Sequence, residues 1–190
     1  MQQPLFIMGI DPGLANTGWG VIEVVGQRKS CLAYGNITTS ADEPTPDRLM
    51  KIYEGIKRVV DKYHPTELGI EEIFFAANVR SAIATGQARG AALVAVGSAG
   101  INVGEYSPLQ IKQNIVGTGT ATKEQVTFMV RTILELDHDP KPDHAADALG
   151  AAICHANMRS SYEHVRAQEQ KLEARGELDP SNAGEGRERA

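Results

Sequence analysis

The sequence has little cysteine and no long apolar run. Its 190 residues include two cysteines, Cys31 and Cys154, which stand far apart and lack the spacing of a metal site. This usage excludes a disulfide framework and is typical of a reducing cytosol. The apolar run at residues 5–10 is too short for a secretory signal, and residues 91–103 are interrupted by glycine and polar residues. We therefore expect a cytoplasmic protein without a membrane span.

The chain also lacks an excess of basic residues. Lys and Arg number 19 against 24 Asp and Glu, which gives a net charge of −5 at pH 7. This balance argues mildly against a general nucleic-acid binder, because such proteins are usually basic. If DNA is the partner, positive charge must be gathered on one face and part of the acidic charge must be neutralised by metal ions.

Hydrophobic periodicity predicts that the chain begins with strands. Three runs rich in apolar and β-branched residues indicate an antiparallel meander with a turn at Gly26-Gln27: residues 5–10, 18–25 and 30–39. Two later runs, residues 67–74 and 101–106, also have the pattern of strands. A meander followed by strands with helical crossovers predicts a mixed α/β sheet.

Helices are predicted between and after these strands from apolar residues spaced three and four apart. They cover residues 46–64, 78–96, 108–116, 123–136 and 143–158. From Ser160 onward the chain is charged and poor in large apolar residues, which predicts disorder. The expected organisation is one domain over residues 1–158 and a tail over residues 159–190.

Carboxylates stand where buried strands are predicted to end. Asp11 closes the first strand, although an Asp before Pro-Gly is more often a turn residue. Glu71 and Glu72 lie among apolar residues, and alternation places them on opposite faces of a strand. One of the two is then costly to bury unless it is paired or metal-bound, the alternative being a solvated strand end.

The last predicted helix carries a histidine and an aspartate three residues apart, hence on one face. Alanines and larger apolar residues surround the pair, so this helix is expected to be largely buried, although a solvated polar face is the simpler alternative. Three carboxylates and one imidazole are then available for hard divalent cations: Asp11, Glu71, His144 and Asp147. Two such ions about 4 Å apart can clamp a phosphate, activate a water and stabilise the leaving oxygen.

Several short motifs in register resemble the RuvC family of Holliday-junction resolvases over roughly residues 5–158. They are residues 9–13 (Gly-Ile-Asp-Pro-Gly), 70–74 (Ile-Glu-Glu-Ile-Phe), 86–90 (Gly-Gln-Ala-Arg-Gly), 116–119 (Val-Gly-Thr-Gly) and 145–149 (Ala-Ala-Asp-Ala-Leu), with Lys112-Gln113 and Lys123. The resemblance implies an RNase H-like fold, with a mixed five-stranded sheet and helices on both faces. It also implies a homodimeric endodeoxyribonuclease that resolves four-way DNA junctions in recombination and repair, together with the RuvA–RuvB branch-migration complex.

The resemblance assigns metal binding to Asp11, Glu71 and Asp147. At the fourth ligand position, which is usually acidic in the family, this chain has His144, a variant also associated with the family. Imidazole suits Mn²⁺ better than Mg²⁺, so we expect two ions per site and a preference for Mn²⁺.

The resemblance also points to residues that contact DNA. It places Lys112 and Lys123 near the scissile phosphate, although by spacing alone Lys123 is equally a solvated lysine beside Glu124. Phe74 has the pattern of a core residue, whereas the resemblance suggests that it stacks on unpaired bases. Arg80 and Arg89 are expected to contact the DNA backbone.

Three rival functions fit parts of the pattern. An actin-like ATPase also has Gly-x-Asp-x-Gly near its N-terminus, but that fold needs two related domains and a much longer chain. A nuclease for RNA or RNA–DNA hybrids would keep the fold and change the substrate. A non-catalytic junction-binding module is disfavoured by the intact set of acids.

Overall fold

The computed structural model describes residues 3–73 and 79–174, with side chains described for residues 3–73 and 81–159. Within these residues one mixed sheet has the strand order β3-β2-β1-β4-β5. Its strands are β1 (Leu5–Asp11), β2 (Asn16–Val25), β3 (Arg28–Thr38), β4 (Glu67–Glu71) and β5 (Asn102–Tyr106). The first three strands are antiparallel, and β4 and β5 run parallel to β1. The predicted fold class is confirmed.

The five predicted helices are also present in the described chain. They are α1 (Thr45–Tyr63), α2 (Val79–Gly97), α3 (Pro108–Val116), α4 (Lys123–Ile133) and α5 (Asp143–Ala174). Ser107 and Thr122 begin α3 and α4 with complete capping boxes, in which side chain and backbone satisfy each other's hydrogen bonds.

Several predicted boundaries are wrong, and the helix predicted over residues 123–136 ends at Ile133. The fourth strand was expected to reach Phe74, but β4 ends at Glu71. The last helix was expected to end at Met158, but α5 continues to Ala174. Its polar half is rich in Gln, Glu, Lys, Arg and Ala, which are strong helix formers as well as typical residues of a charged tail.

The chain divides into two compact units, the first ending at Ala156 and the second beginning at Asn157. The expected nuclease domain over residues 1–158 and the expected disorder of the tail stay predictions, and residues 175–190 lie outside the described chain. No helix among the described residues is long and apolar enough to cross a membrane.

One face of the sheet packs against α1 and α2 through large apolar side chains. Met8 and Ile10 of β1 are fully buried, as are Leu68 and Ile70 of β4. They share one core cluster with residues of both helices, including Ile52, Ile56, Ala88 and Ala92. This cluster forms a hydrophobic core on that side of the sheet.

The opposite face carries a row of glycines where α5 crosses it. Gly20, Gly9, Gly69 and Gly104 are register neighbours on β2, β1, β4 and β5. A Cβ on Gly9 would lie 1.8 Å from the carbonyl oxygen of Ala148. Glycine inside a strand often marks a place where another backbone approaches closely. The row therefore lets the backbone of α5 lie directly on the sheet, with helices on both faces as predicted.

Candidate metal centre

Asp11 and Glu71 lie at the carboxyl ends of neighbouring parallel strands. Ile10 pairs with Ile70 in the register of β1 and β4, so the two acids follow side by side. Each acid stands two residues beyond a glycine of the row, and side chains two apart point to the same face of a strand. Both carboxylates therefore point toward the face that α5 covers.

The first two turns of α5 supply His144 and Asp147, three residues apart on the helix. Gly18 of β2 pairs with Asp11 across the sheet. A Cβ at Gly18 would lie 1.9 Å from the carbonyl oxygen of His144. The absence of a side chain at this position allows the start of α5 to approach Asp11.

Asp11, His144 and Asp147 form a compact group of donors. Nδ1 of His144 lies 2.7 Å from Oδ2 of Asp11, in a hydrogen bond that the imidazole donates to the carboxylate. One donor atom from each of the three residues lies within 4.8 Å of the others. Two ligands of one Mg²⁺ are at most about 4.2 Å apart, so a small contraction would let all three share an ion. Carboxylate oxygens and an imidazole nitrogen suit Mg²⁺ or Mn²⁺.

Glu71 lies outside this group of three but is electrostatically coupled to it. Burial, followed by the charges of Asp11 and Asp147, raises the pKa of Glu71 to about 7, and Lys112 opposes the rise. Burial and the charge of Asp147 also raise the pKa of Asp11, against the hydrogen bond from His144. Half-buried carboxylates that disfavour each other's ionisation are characteristic of sites that a divalent cation would stabilise.

Two lysines stand beside the donor group. Lys112 and Lys123 line a cavity of about 260 Å³ together with Glu71 and Asp147. Nζ of Lys123 lies 3.1 Å from Oδ2 of Asp147 and 3.4 Å from Oδ2 of Asp143. Burial acts to lower the pKa of Lys123, but these two acids outweigh it and the pKa is raised. Lys123 is thus paired with an acid of the site, whereas the sequence alone left a solvated lysine beside Glu124 as an equal alternative.

Comparison with known proteins agrees with this geometry. The family model for crossover junction endodeoxyribonuclease RuvC matches residues 7–155. The chain belongs to the RuvC family. A curated crossover junction endodeoxyribonuclease RuvC from Desulforamulus reducens is 48% identical over 158 residues, which are 83% of this chain and 97% of the relative. Membership confirms the predicted family and the predicted class of enzyme, an endodeoxyribonuclease.

Solved RuvC structures have the same fold. Thermus thermophilus RuvC gives a TM-score of 0.78 at 38% identity and covers 83% of this chain and 96% of its own. The same RuvC in complex with a Holliday junction substrate also gives 0.78 at 38% identity, over 82% of this chain and 94% of that one. The use of a divalent metal by this RuvC-family chain is supported by the donor group.

The structure does not place the remaining residues predicted to contact DNA beside the donor group, as it places Lys112 and Lys123. Arg89 lies on α2, where its side chain is 16% exposed and paired with Glu105 of β5. It lines neither of the two cavities that border the donor group in the described chain. Phe74 and the side chain of Arg80 lie outside the described residues. The DNA-binding roles of all three stay predictions.

A buried chain of hydrogen bonds beside the site was not expected from the sequence. Nε2 of His155 lies 2.9 Å from a carboxylate oxygen of Glu67, and Nδ1 lies 2.8 Å from the hydroxyl of Tyr106. The main-chain carbonyl of Tyr106 accepts a hydrogen bond from the N–H of Glu72, which fixes the end of β4. The signal available in the sequence was Gly104, a glycine inside a predicted strand. In the structure a Cβ at this position would lie 2.5 Å from Nδ1 of His155.

Proposed function

We propose that this chain resolves four-way DNA junctions by metal-dependent hydrolysis of phosphodiester bonds. The observation that carries the proposal is the donor group of Asp11, His144 and Asp147, with one ligand atom each within 4.8 Å. Family membership supports the reaction class. The relative from Thermus thermophilus has been solved with a Holliday junction substrate, which supports the same substrate class here.

Four side chains would hold the cations: Asp11, Glu71, His144 and Asp147. A bound divalent cation lowers the pKa of a water and neutralises charge that develops on the phosphate and on the leaving oxygen. We assign two ions to each site. Mn²⁺ is favoured over Mg²⁺ because the imidazole nitrogen of His144 is a softer donor than a carboxylate oxygen.

The contacts within the site support a role for each side chain in preparing it for substrate. His144 donates a hydrogen bond to Asp11, and the ammonium of Lys123 is paired with Asp147, so each of these two acids has a partner within the protein. If Asp147 binds a metal ion, its ion pair with Lys123 is broken. The ammonium of Lys123 is then available in the cavity that it lines with Lys112. A phosphate oxygen placed there would accept from both lysines.

Glu71 would bind a metal ion only in its ionised, deprotonated form. Its pKa of about 7 means that the side chain holds a proton for much of the time at neutral pH. Cation binding therefore expels that proton, and binding should tighten as the pH rises toward and past 7.

The products and partners follow from the same proposal. Attack by water in line with the departing 3′ oxygen leaves 5′-phosphate and 3′-hydroxyl ends. A two-fold homodimer would present two such sites to a two-fold junction and nick two strands symmetrically. We assign the chain to recombination and repair in the cytoplasm, acting with the RuvA–RuvB branch-migration complex.

A cleavage assay on a fixed synthetic junction tests the proposal. The full chain is incubated with the junction and Mg²⁺, Mn²⁺ or a chelator, and linear duplex and RNA–DNA hybrid serve as competing substrates. We expect paired nicks in opposed strands, ligatable products and no cutting in chelator. Preferential cutting of the hybrid would identify a hybrid nuclease instead. Tight junction binding with no cutting in either metal would identify a binding module.

A further inference from the structure

Arg48, near the start of α1, is held differently from the paired arginines of the described chain. Arg28, Arg58, Arg89 and Arg131 each have a carboxylate within ion-pair distance. Among the described residues Arg48 has no such pair. Lys51, and to a smaller extent Arg48, lowers the pKa of Glu43, but that carboxylate is bonded to Lys51 at 2.6 Å.

One edge of the Arg48 guanidinium is fixed by a hydroxyl. Nε donates to Oγ1 of Thr39 at 2.8 Å. That hydroxyl donates in turn to the carbonyl of Leu14 at 2.5 Å, and the N–H of Thr39 donates to the carbonyl of Ala15 at 3.0 Å. The guanidinium is therefore positioned against the loop that follows β1 and Asp11. Its two Nη groups keep their donors for a ligand, in the planar arrangement that matches phosphate oxygens.

Arg48 lines a cavity to which His144 of the metal centre also contributes. The cavity has a volume of about 360 Å³ and is lined by loop residues 13–16, Arg48, Ser81, Thr85 and His144. Among the described side chains that line it, Arg48 is the cationic one, and Ser81 and Thr85 of α2 also contribute to the lining. A half-buried arginine beside neutral polar groups favours an anion of compact shape.

The donor group separates this cavity from the one that holds the lysines. His144 lines the first cavity and Asp147 lines the second, and both belong to the group that includes Asp11. A nucleic-acid strand crossing the donor group would thus meet Arg48 on one side and Lys112 with Lys123 on the other. In a chain of net charge −5, these two cavities place positive charge on both sides of the donor group.

We propose that the Arg48 cavity is a subsite for a backbone phosphate of the cleaved strand, adjoining the scissile phosphate on the His144 side. The proposal rests on the proposed nuclease function and adds a contact to it. Arg48 would hold the neighbouring phosphate through its Nη groups and so set the position of the strand across the cations. Its role is positioning, because its contact is with a phosphate that does not react.

Salt dependence of DNA binding tests this subsite. Binding of a fixed junction and of a linear duplex to the full chain is measured by anisotropy at several salt concentrations, in chelator. Arg48→Gln should weaken junction binding roughly tenfold and reduce the slope of log K against log salt by about 1, as expected for one lost phosphate contact. Arg58→Gln is the matched control on the same helix, since Arg58 is exposed and paired with Glu54, and it should behave as wild type.

Neutral linkages locate the contact. A methylphosphonate next to the scissile phosphate should weaken binding by the wild type several-fold, yet cause no further loss in Arg48→Gln. Additive losses at every substituted position, or equal slopes for Arg48→Gln and Arg58→Gln, would overturn the proposal. If the wild type does not prefer the junction to duplex, the proposed function fails, while the duplex slopes still decide the role of Arg48.

A purely structural role for Arg48 predicts a different result. If Arg48 only braced the loop after β1, Arg48→Gln would weaken Mn²⁺ binding, measured by calorimetry, through displacement of Asp11, and the salt slope would stay at the wild-type value. Arg48→Lys should restore part of the slope, because the charge is kept while the planar donors are lost. Loss of Mn²⁺ affinity with an unchanged slope would contradict the proposal.

Discussion

The two faces of the central sheet are built from the same strands and serve different purposes. Toward α1 and α2, alternate residues of β1 and β4 are large, apolar and fully buried. Toward α5, the intervening positions are glycines followed by Asp11 and Glu71. Burying one large apolar side chain contributes about 1.5–3 kcal/mol, so the first face stabilises the fold. The second face has glycines where the backbone of α5, which carries His144 and Asp147, approaches the sheet closely.

This comparison implies that adjacent residues of β1 serve different purposes: Ile10 contributes to stability and Asp11 to activity. Asp11→Asn removes a charged donor of nearly the same shape and should slow junction cleavage by roughly three orders of magnitude, about 4 kcal/mol in the barrier. Junction binding and thermal stability should stay near wild type. Initial cleavage rates, binding anisotropy and thermal melts measure these effects. If Asp11→Asn cut at the wild-type rate, Asp11 would have no part in the reaction.

The matched variant on the other face is Ile10→Ala. It should lower the free energy of unfolding by about 2–5 kcal/mol, because a fully buried side chain is truncated. The cleavage rate per folded molecule should change little. Chemical denaturation and rates normalised to folded protein test this, and a selective loss of activity would contradict the division between the faces.

The close approach of α5 to the sheet can be broken at Gly18, two residues before Gly20 of the glycine row. A Cβ there would lie 1.9 Å from the carbonyl oxygen of His144, so Gly18→Ala must displace the start of α5. We expect a loss of Mn²⁺ affinity of roughly 10–100-fold, together with a stability loss of about 1–3 kcal/mol from overpacking. Gly97→Ala is the control, since nothing lies within 4 Å of a Cβ at that position. Calorimetric Mn²⁺ titration of both variants should separate them, and equal affinities would refute the positional argument.

The kind of ligand atom at position 144, on the face of the sheet that α5 covers, should determine which metal the site prefers. Wild-type cleavage is expected to be several-fold faster with Mn²⁺ than with Mg²⁺, and His144→Asp should narrow the ratio because it replaces nitrogen with oxygen. Asp143→Asn, one residue earlier on α5, should leave the ratio unchanged. The measurement is the initial rate at saturating concentrations of each metal. Equal wild-type rates in the two metals would show that the imidazole does not set the preference.

The smallest expected effect is a pH dependence of stability from Glu71. Its pKa in the folded, metal-free protein is about 7, against an ordinary value of 4.5, so the folded state holds the proton more tightly than the unfolded chain. The contribution of Glu71 to the free energy of unfolding therefore falls as the pH rises from about 4.5 to about 7. In chelator this group should account for a loss on the order of 1–2 kcal/mol, after discounting for its partial solvation.

Denaturation at pH 5.5 and pH 8 measures that loss. Glu71→Gln should remove it, whereas Glu72→Gln, just beyond the end of β4, should keep the wild-type dependence. Mn²⁺ at pH 8 should restore stability to the wild type. A wild-type stability that rose between these pH values by the same amount as in Glu71→Gln would contradict the assignment.

Much of the fold was predictable because periodicity reports local burial. The continuous apolar run of β1 reflects burial on both faces, and the three- and four-residue spacing of α1 reflects burial on one face. The existence and approximate bounds of both elements were confirmed. The end of β4 was harder to predict, since Ile73 continues the apolar pattern after the strand has ended. A charged run of helix formers is compatible with a disordered tail and with a helix. The extension of α5 beyond Met158 was therefore not predicted.

Three of the four ligands proposed from the sequence, Asp11, His144 and Asp147, lie together in the fold, and their roles as ligands stay predictions. The pairing of Lys123 with Asp147 depends on how α4 packs beside α5, which no local pattern contains. The glycine row was visible in the sequence as glycines inside strands, but its meaning depends on strand register and emerges only when the strands are paired.

The central claim is that the second face of the sheet holds divalent cations through residues brought together from β1, β4 and α5. Anomalous diffraction from crystals of the full chain grown with Mn²⁺ tests it most directly. We predict Mn²⁺ about 2.1 Å from donor atoms of Asp11, His144 and Asp147, with His144 turned from its hydrogen bond to Asp11. No anomalous peak at these side chains, with that hydrogen bond intact, would contradict the account.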